Sequence, residues 1–303
     1  MVTSHVSPDG DAVGACMALG AALRKAQKRV TVALADEFPA YLRFLPAWEE
    51  VHGAKADLTG VNLIFVLDLS DVDRVGSLYN KALFSAVPII NIDHHPTNTN
   101  FGSVNFVAPE AAATCELLPP IIKSLGVDID KEIASCLLTG LITDTIGFRT
   151  SNTTTATVRM AADMMEYGVS LPTIADAVFN SKPLTAVKLL GLAASQVQVR
   201  GRIVWTSVTR SMLAEAGANL EDSESIVGLL ASVRDVEAAI VFKETEDGMV
   251  RVSIRTTGRL NAGQICQGFG GGGHLRAGGC GLRAGLQIAQ QTFLTSVEDA
   301  LAS

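Results

Sequence analysis

The sequence predicts an α/β protein with an N-terminal domain built on a mostly parallel sheet flanked by helices and a smaller C-terminal α+β domain. Three observations predict it. Short apolar runs at residues 61–67 and 87–92 are apolar on both faces, as buried parallel strands are. Helical segments alternate with these runs, the order that layered α/β chains show. Beyond about residue 195 the pattern becomes strands of alternating character with a hairpin signal.

Composition bounds the function. The chain has 303 residues, which at roughly 100–200 residues per domain means about two domains. Apolar residues make up 48% and charged residues 18%, enough to build a core and to exclude intrinsic disorder. Lys+Arg total 24 and Asp+Glu 31, for a net charge of −7. That balance argues against a protein that grips long DNA or RNA through counterion release. It leaves room for a locally basic site that takes a short substrate. No run reaches the ~18 apolar residues of a membrane span. The N-terminus has His5, Pro8 and Asp9 where a signal peptide would be apolar. The five cysteines are scattered without a CxxC, which fits small core residues in a reducing cytoplasm.

Along the chain, helices are expected at residues 12–28, 110–125, 131–141 and 153–167. The last opens on threonines that can cap it, and Gly168 can close it. Pro172 and Pro183 punctuate the next stretch, and residues 184–195 read as a connecting helix. The expected division is a catalytic domain at 1–178, a linker helix at 179–196 and a substrate-binding domain at 197–303. In the latter, 202–208 reads as a strand, and 238–243 and 249–256 as a hairpin around Glu246-Asp247-Gly248. Val250, Val252 and Ile254 alternate with Arg251, Ser253 and Arg255, so the two arginines should share the face away from the core.

Four constellations could carry chemistry. His5, Asp9 and Asp11 lie on one turn before a helix, where Asp11 could equally be a helix cap and Asp9 a turn residue. Asp68 follows the first apolar run, where α/β sheets place ligands, although a cap role is open to it, to Asp71 and to Asp73. Asp93, His94 and His95 follow the second run, and two adjacent histidines there favour a ligand role over a solvated loop. Asp144 follows a third apolar segment and has the same alternative as a turn or cap aspartate. If these elements meet at one sheet edge, four carboxylates (Asp9, Asp11, Asp68, Asp144) crowd together and need cations to neutralise them. Oxygen and imidazole donors without thiolates suit Mn²⁺ or Mg²⁺. Two such ions about 3.5–4 Å apart are a recurrent device for phosphoester hydrolysis.

A fifth constellation is the glycine-rich stretch at 268–279, where consecutive backbone N–H groups can cradle phosphate and His274 follows directly. It could also be a plain flexible loop. Arg255, and Arg251 beside it, give it weight, because arginine binds phosphate bidentately. A metal centre in one domain and a phosphate site in the other would place the active site in the interdomain cleft.

The order of these motifs resembles the DHH/DHHA1 phosphoesterase family over nearly the whole chain. HVSPDGDAVG, DLSDVDRVG, IDHHP and TGLITDT look like the four motifs of its catalytic domain, and FGGGGHLRAGG, preceded by VSIRT, looks like its DHHA1 signature. The resemblance implies two metal ions, usually Mn²⁺. His5, Asp9 and Asp68 would hold one; Asp11, Asp68, His94 and Asp144 the other. The expected catalytic set is Asp68, Asp93 and His95, with His95 close to the metals or the scissile phosphate and Asp93 orienting a neighbour. Arg255, Gly271, Gly272, Gly273 and His274 would bind the substrate's terminal phosphate or nucleotide. The chain departs from the family pattern in its very short first strand, with Met1 four residues before His5, and in Gly14-Ala15, Ile146 and Gly278.

Within the family the short two-domain form is most similar to nanoRNase/pAp-phosphatases, which cleave very short RNA to mononucleotides and 3′-phosphoadenosine 5′-phosphate (pAp) to AMP. A monomer or homodimer with no long nucleic acid and no membrane as partner is expected. A phosphodiesterase for linear or cyclic dinucleotides would have a nearly identical centre, and a nucleotide-binding module without turnover would keep the fold. The glycine-histidine signature speaks against a pure pyrophosphatase.

Overall fold

The computed structural model describes residues 1–273 and 275–302. The chain forms two compact units, Met1–Ser181 and Lys182–Ser303.

The first unit carries a four-stranded, wholly parallel sheet in the order β1 (Val2–Thr3), β2 (Ile64–Leu67), β3 (Ile89–Asp93), β4 (Val104–Val107). The expected strands at 61–67 and 87–92 are the two central ones, with the first shortened to four residues. The first strand is only two residues long, yet it pairs in register, Val2 with Phe65 and Thr3 with Val66. Helix α1 (Gly10–Lys25) is buried along all but its last two residues. A helix apolar all round must be covered on all sides, and α1 lies against α3 (Thr114–Ser124) and α4 (Lys131–Asp144) as well as the sheet. Leu19, Leu118 and Ile122 are fully buried in that layer, each contributing roughly 1.5–3 kcal/mol. The opposite face of the sheet packs on Val75, Leu78 and Phe84, the last on α2 (Lys81–Ala86).

Two local expectations need correction, and one alternative left open by the sequence is settled. Asp9, not Asp11, caps α1, accepting from the Asp11 and Ala12 amides. The cap beyond β2 is Asp71, which starts a short 3₁₀ segment, so Asp68 is released from that duty. The helix expected from residue 110 begins at Thr114. Helix α5 (Thr155–Glu166) opens on a Thr154–Thr157 capping box, and Gly168 follows at φ +83°. Helix α6 (Leu171–Phe179) carries Pro172 in its first turn, where no amide is lost.

The second unit begins with α7 (Leu184–Ala194), whose Leu189 and Ala193 are buried in that unit's own core. Its mixed six-stranded sheet has the order β5 (Gln198–Arg200), β6 (Ile203–Val208), β7 (Ala238–Glu244), β8 (Val250–Thr256), β10 (Ala277–Leu282), β9 (Gly272–Gly273). Strands β7 and β8 are the expected hairpin, and Val250, Val252 and Ile254 face the core. One face packs on α10 (Ala262–Gln267) and α11 (Leu286–Ala302), the other on α7, α8 (Arg210–Ala216) and α9 (Ile226–Ala231). Among the described residues no helix is long and apolar enough to cross a membrane.

Candidate metal centre

Parallel strands end at the same edge of a sheet, and that edge is where open α/β sheets place ligands. The C-terminal ends of β1, β2 and β3 therefore deliver His5, Asp68 and the Asp93-His94-His95 run together. Helix α1 starts just beyond β1 and brings Asp9 and Asp11 to the same edge. Asp144 comes from the last turn of α4, a helix end and not a strand end.

The side chains form three overlapping groups whose ligand atoms lie within 4.8 Å of one another: His5, Asp9 and Asp68; Asp68, His94 and His95; Asp11, His94 and Asp144. Asp68 is the hinge between them. Its Oδ2 stands 3.6 Å from His5 Nε2, and its Oδ1 stands 3.4 Å from His94 Nε2. His94 Nε2 is also 3.6 Å from Asp144 Oδ2 and 4.0 Å from Asp11 Oδ2. Asp68 sits at φ +54°, a left-handed conformation that costs an ordinary side chain about 1–2 kcal/mol and an aspartate less. Its amide donates to Ile92 O at 2.9 Å, and Thr114 Oγ1 donates to its Oδ1 at 3.0 Å.

Both buried imidazoles are oriented the same way. His5 Nδ1 meets Val6 O at 2.8 Å and His94 Nδ1 meets Ala111 O at 3.2 Å. A ring nitrogen that donates to a carbonyl leaves Nε2 to carry the lone pair, and here Nε2 points into the carboxylates. Asp11 accepts from the amides of Thr114 (2.5 Å) and Cys115 (2.9 Å) at the start of α3, where helix dipole and free N–H groups favour an anion. Asp93 is fully buried and accepts from the His94 amide, from His95 Nδ1 at 2.7 Å and from Asn98 Nδ2 at 2.6 Å. It thus fixes His95, whose side chain keeps 12% exposure.

Several supporting residues escaped the sequence reading. Asn98 braces Asp93, Thr114 braces Asp68, and Asn91 ties β2 to β3 through Val66 O and Leu69 O. A signal existed only for Asn91, the one polar residue inside the apolar run 87–92.

The electrostatics are those of a cluster short of positive charge. Burial raises the Asp11 carboxyl to about 7, and the Asp68 charge adds to the rise. Asp144 is pushed well above the usual carboxylate range by burial first, then by Asp11, Asp9 and Asp68. Burial would raise Asp68 too, but His5 and His94 outweigh it and hold its carboxyl well below. Burial would lower the imidazoles; Asp68 overrides it, with Asp9 helping at His5 and Asp144 and Asp11 at His94, so they rise to about 8 and about 11. Protons thus do what a cation would do. With three overlapping groups of oxygen and imidazole donors at chelating distance, buried except at Asp9 and in part at Asp144, the residues present fit divalent ions.

The second unit supplies the other candidates. Arg255 lies on β8 opposite Ala277 of β10, half-buried, with Arg251 on the same face. Gly272 and Gly273 form β9 against Gly279 and Gly278. Gly273 has φ +142° and no room for a Cβ beside Ala277 O, so only glycine fits. His274 lies outside the described residues.

The family model of the DHH N-terminal domain matches residues 1–141, and that of the DHHA1 domain matches residues 202–303. The bifunctional oligoribonuclease and PAP phosphatase NrnA of Thermus thermophilus is 36% identical over 302 residues, 99% of this chain and 89% of that protein. The protein of the same name from Bacillus subtilis is 25% identical over 282 residues, 92% of this chain and 87% of that protein. Among solved structures, an exopolyphosphatase-related protein from Bacteroides fragilis matches with a TM-score of 0.91 and 26% identity, covering 98% of this chain and 91% of that one. Motif order, site geometry and both domain matches agree: the chain belongs to the DHH/DHHA1 phosphoesterase family.

Proposed function

We propose that the protein hydrolyses very short oligoribonucleotides to mononucleotides and pAp to AMP, using two divalent ions, with Mn²⁺ as the favoured metal. The observation that supports this most is the sharing of Asp68 and His94 among three donor groups. A shared carboxylate with one oxygen toward each group is what a bridged pair of ions needs. His5, Asp9 and Asp68 would hold one ion and Asp11, Asp68, His94 and Asp144 the other. When bound, such ions polarise the phosphoryl group and lower the pKa of water.

The remaining roles fall to the chain itself. Asp93 fixes His95 through Nδ1 so that its Nε2 can meet the scissile phosphate or the leaving oxygen. Arg255 and the amides of Gly271, Gly272 and Gly273, with His274 following, hold the substrate's terminal phosphate. The acidic net charge of −7 fits a short substrate bound locally. The catalytic residues belong to segment 1–178 and the phosphate-binding residues to segment 197–303, with 179–196 between them. The cysteine usage supports a cytoplasmic setting, and a monomer or homodimer suffices because each chain carries every assigned residue.

Product analysis with 5′-phosphorylated diadenylate and pAp tests this. In Mn²⁺ both should yield AMP, and a chelator should stop both. Exclusive turnover of cyclic or linear dinucleotide messengers would move the protein to that substrate class. No turnover with Mn²⁺ bound would make it a binding module.

A pH prediction follows from the histidines. Metal binding requires His5 and His94 neutral and Asp11 ionised, so it must expel protons held up to about 8, about 11 and about 7 respectively. Raising the pH removes those competitors. Apparent Mn²⁺ affinity should therefore climb between pH 6 and 8.5, by about tenfold per pH unit for each proton released. Calorimetry in buffers of different ionisation enthalpy measures the count; an affinity flat over this range would contradict it.

A further inference from the structure

Cys266 on α10 and Cys280 on β10 lie side by side in the core of the second unit. Cys266 is fully buried, whereas Cys280 is the only one of the five cysteines that is not buried. The two thiols are close enough to shift each other's acidity in opposite directions. Gly278, two residues before Cys280 on the same strand face, passes so close that a Cβ there would lie 2.9 Å from Cys266 Sγ. The other three cysteines are buried in the first unit.

The pair also grips the glycine-rich loop. The Gly271 amide donates to Cys266 O at 2.9 Å. On its other side, a Cβ on Gly271 would stand 2.5 Å from the Cβ of Cys280. Gly271 is thus wedged between the two cysteine-bearing elements, and the next two residues pair with β10.

We infer that Cys266 and Cys280 are a redox-sensitive dithiol that hydrogen peroxide closes to a disulfide, displacing the glycine loop. The Cys280 sulfur attacks one peroxide oxygen; the O–O bond breaks, one water leaves and Cys280 becomes a sulfenic acid. The Cys266 sulfur then attacks that sulfur, the S–O bond breaks and a second water leaves. Two electrons pass from the two sulfurs to the peroxide, and the two thiol protons end in the two waters. Cys280 is the attacking partner because solvent reaches it and because Cys266 beside it holds its thiol below the ordinary value against burial. The same proximity, with burial, pushes Cys266 up and keeps it the resolving thiol.

Closure sets the sulfurs about 2.05 Å apart. Gly271, wedged between α10 and β10, has no free space to absorb a shift of either element. The consequence for substrate, unlike the disulfide itself, rests on the phosphate-binding role proposed for Gly271 to Gly273. Oxidation should raise the KM for pAp about fivefold or more, the usual scale of coupling between sites.

The test treats the reduced full-length protein with graded hydrogen peroxide and maps its peptides without reduction. The expected result is a Cys266–Cys280 linked peptide that dithiothreitol dissolves, absent from Cys280→Ser and from Cys266→Ala. Cys280 converted to sulfinic acid with Cys266 free, or both thiols untouched while buried cysteines react, would overturn the dithiol. KM for pAp should rise with the linked fraction in the wild type and stay constant in Cys280→Ser. A linked peptide with unchanged KM would overturn the coupling to the loop. Absence of pAp hydrolysis in the reduced protein would count against the proposed function alone, because the peptide map needs no activity.

Discussion

Asp68→Asn should abolish turnover, lowering kcat by well over the 10–100-fold that loss of a supporting residue costs around a metal. Asparagine is the informative replacement. It tolerates the left-handed backbone at φ +54° that Asp68 adopts, and it can still accept from Thr114 Oγ1. What it removes is the charge. Without it, His5 and His94 lose the largest influence that raises them against burial. Two ions would lose their shared ligand at once. Asp68→Ala adds backbone strain and leaves the neighbouring groups unpaired, and breaking a buried pair in that way costs about 3–5 kcal/mol. Comparing the two by thermal unfolding and by Mn²⁺-dependent AMP release separates charge from packing. A folded Asn variant with near-wild-type turnover would rule out a bridging role for Asp68.

The metal-centre candidates were legible in the sequence because parallel strands put their ends at one edge. A carboxylate or imidazole directly after a two-faced apolar run is placed by topology alone, which covers Asp68, His94 and His95; His5 was legible only through its spacing to Asp9 and Asp11 on the turn before a helix. Asp144 was legible as a residue but not as a position, since an apolar segment before an aspartate reads alike for a strand and for the helix that carries it. The supports were not legible. Thr114 and Asn98 act on Asp68 and Asp93 across 46 and 5 residues of sequence, with nothing in their local pattern to mark them. Strand β4 escaped because an edge strand need not be apolar on both faces, and Val104 and Phe106 are exposed on it. The two-residue β1 holds its place through pairing with β2, a tertiary effect without a propensity signal.

The second large effect concerns a residue without functional groups. Gly140→Ala should cost about 1–3 kcal/mol of stability and about 100-fold in activity. Helices α1 and α4 cross closely where Gly140 faces Asp11. A Cβ added there would stand 2.7 Å from Asp11 Oδ1 and 3.1 Å from Asp11 Cα, and would collide with Cys115 Sγ. The backbone offers no relief, because Cys115 and Asp11 are locked together: the Cys115 amide donates to Asp11 Oδ1 at 2.9 Å. The helices must part, or Asp11 must turn away from His94. Either change moves a proposed ligand by a distance comparable to the tolerance of the site. Shrinking the obstacle discriminates between the two losses. In Gly140→Ala combined with Cys115→Ala the sulfur is gone while the amide that holds Asp11 stays, so stability should recover substantially. Activity should recover less, since the new methyl still presses on Asp11 itself. Stability of the double variant is read from chemical denaturation and turnover from AMP release. Full recovery of both would show that the crossing tolerates the methyl group and that only the sulfur stood in its way.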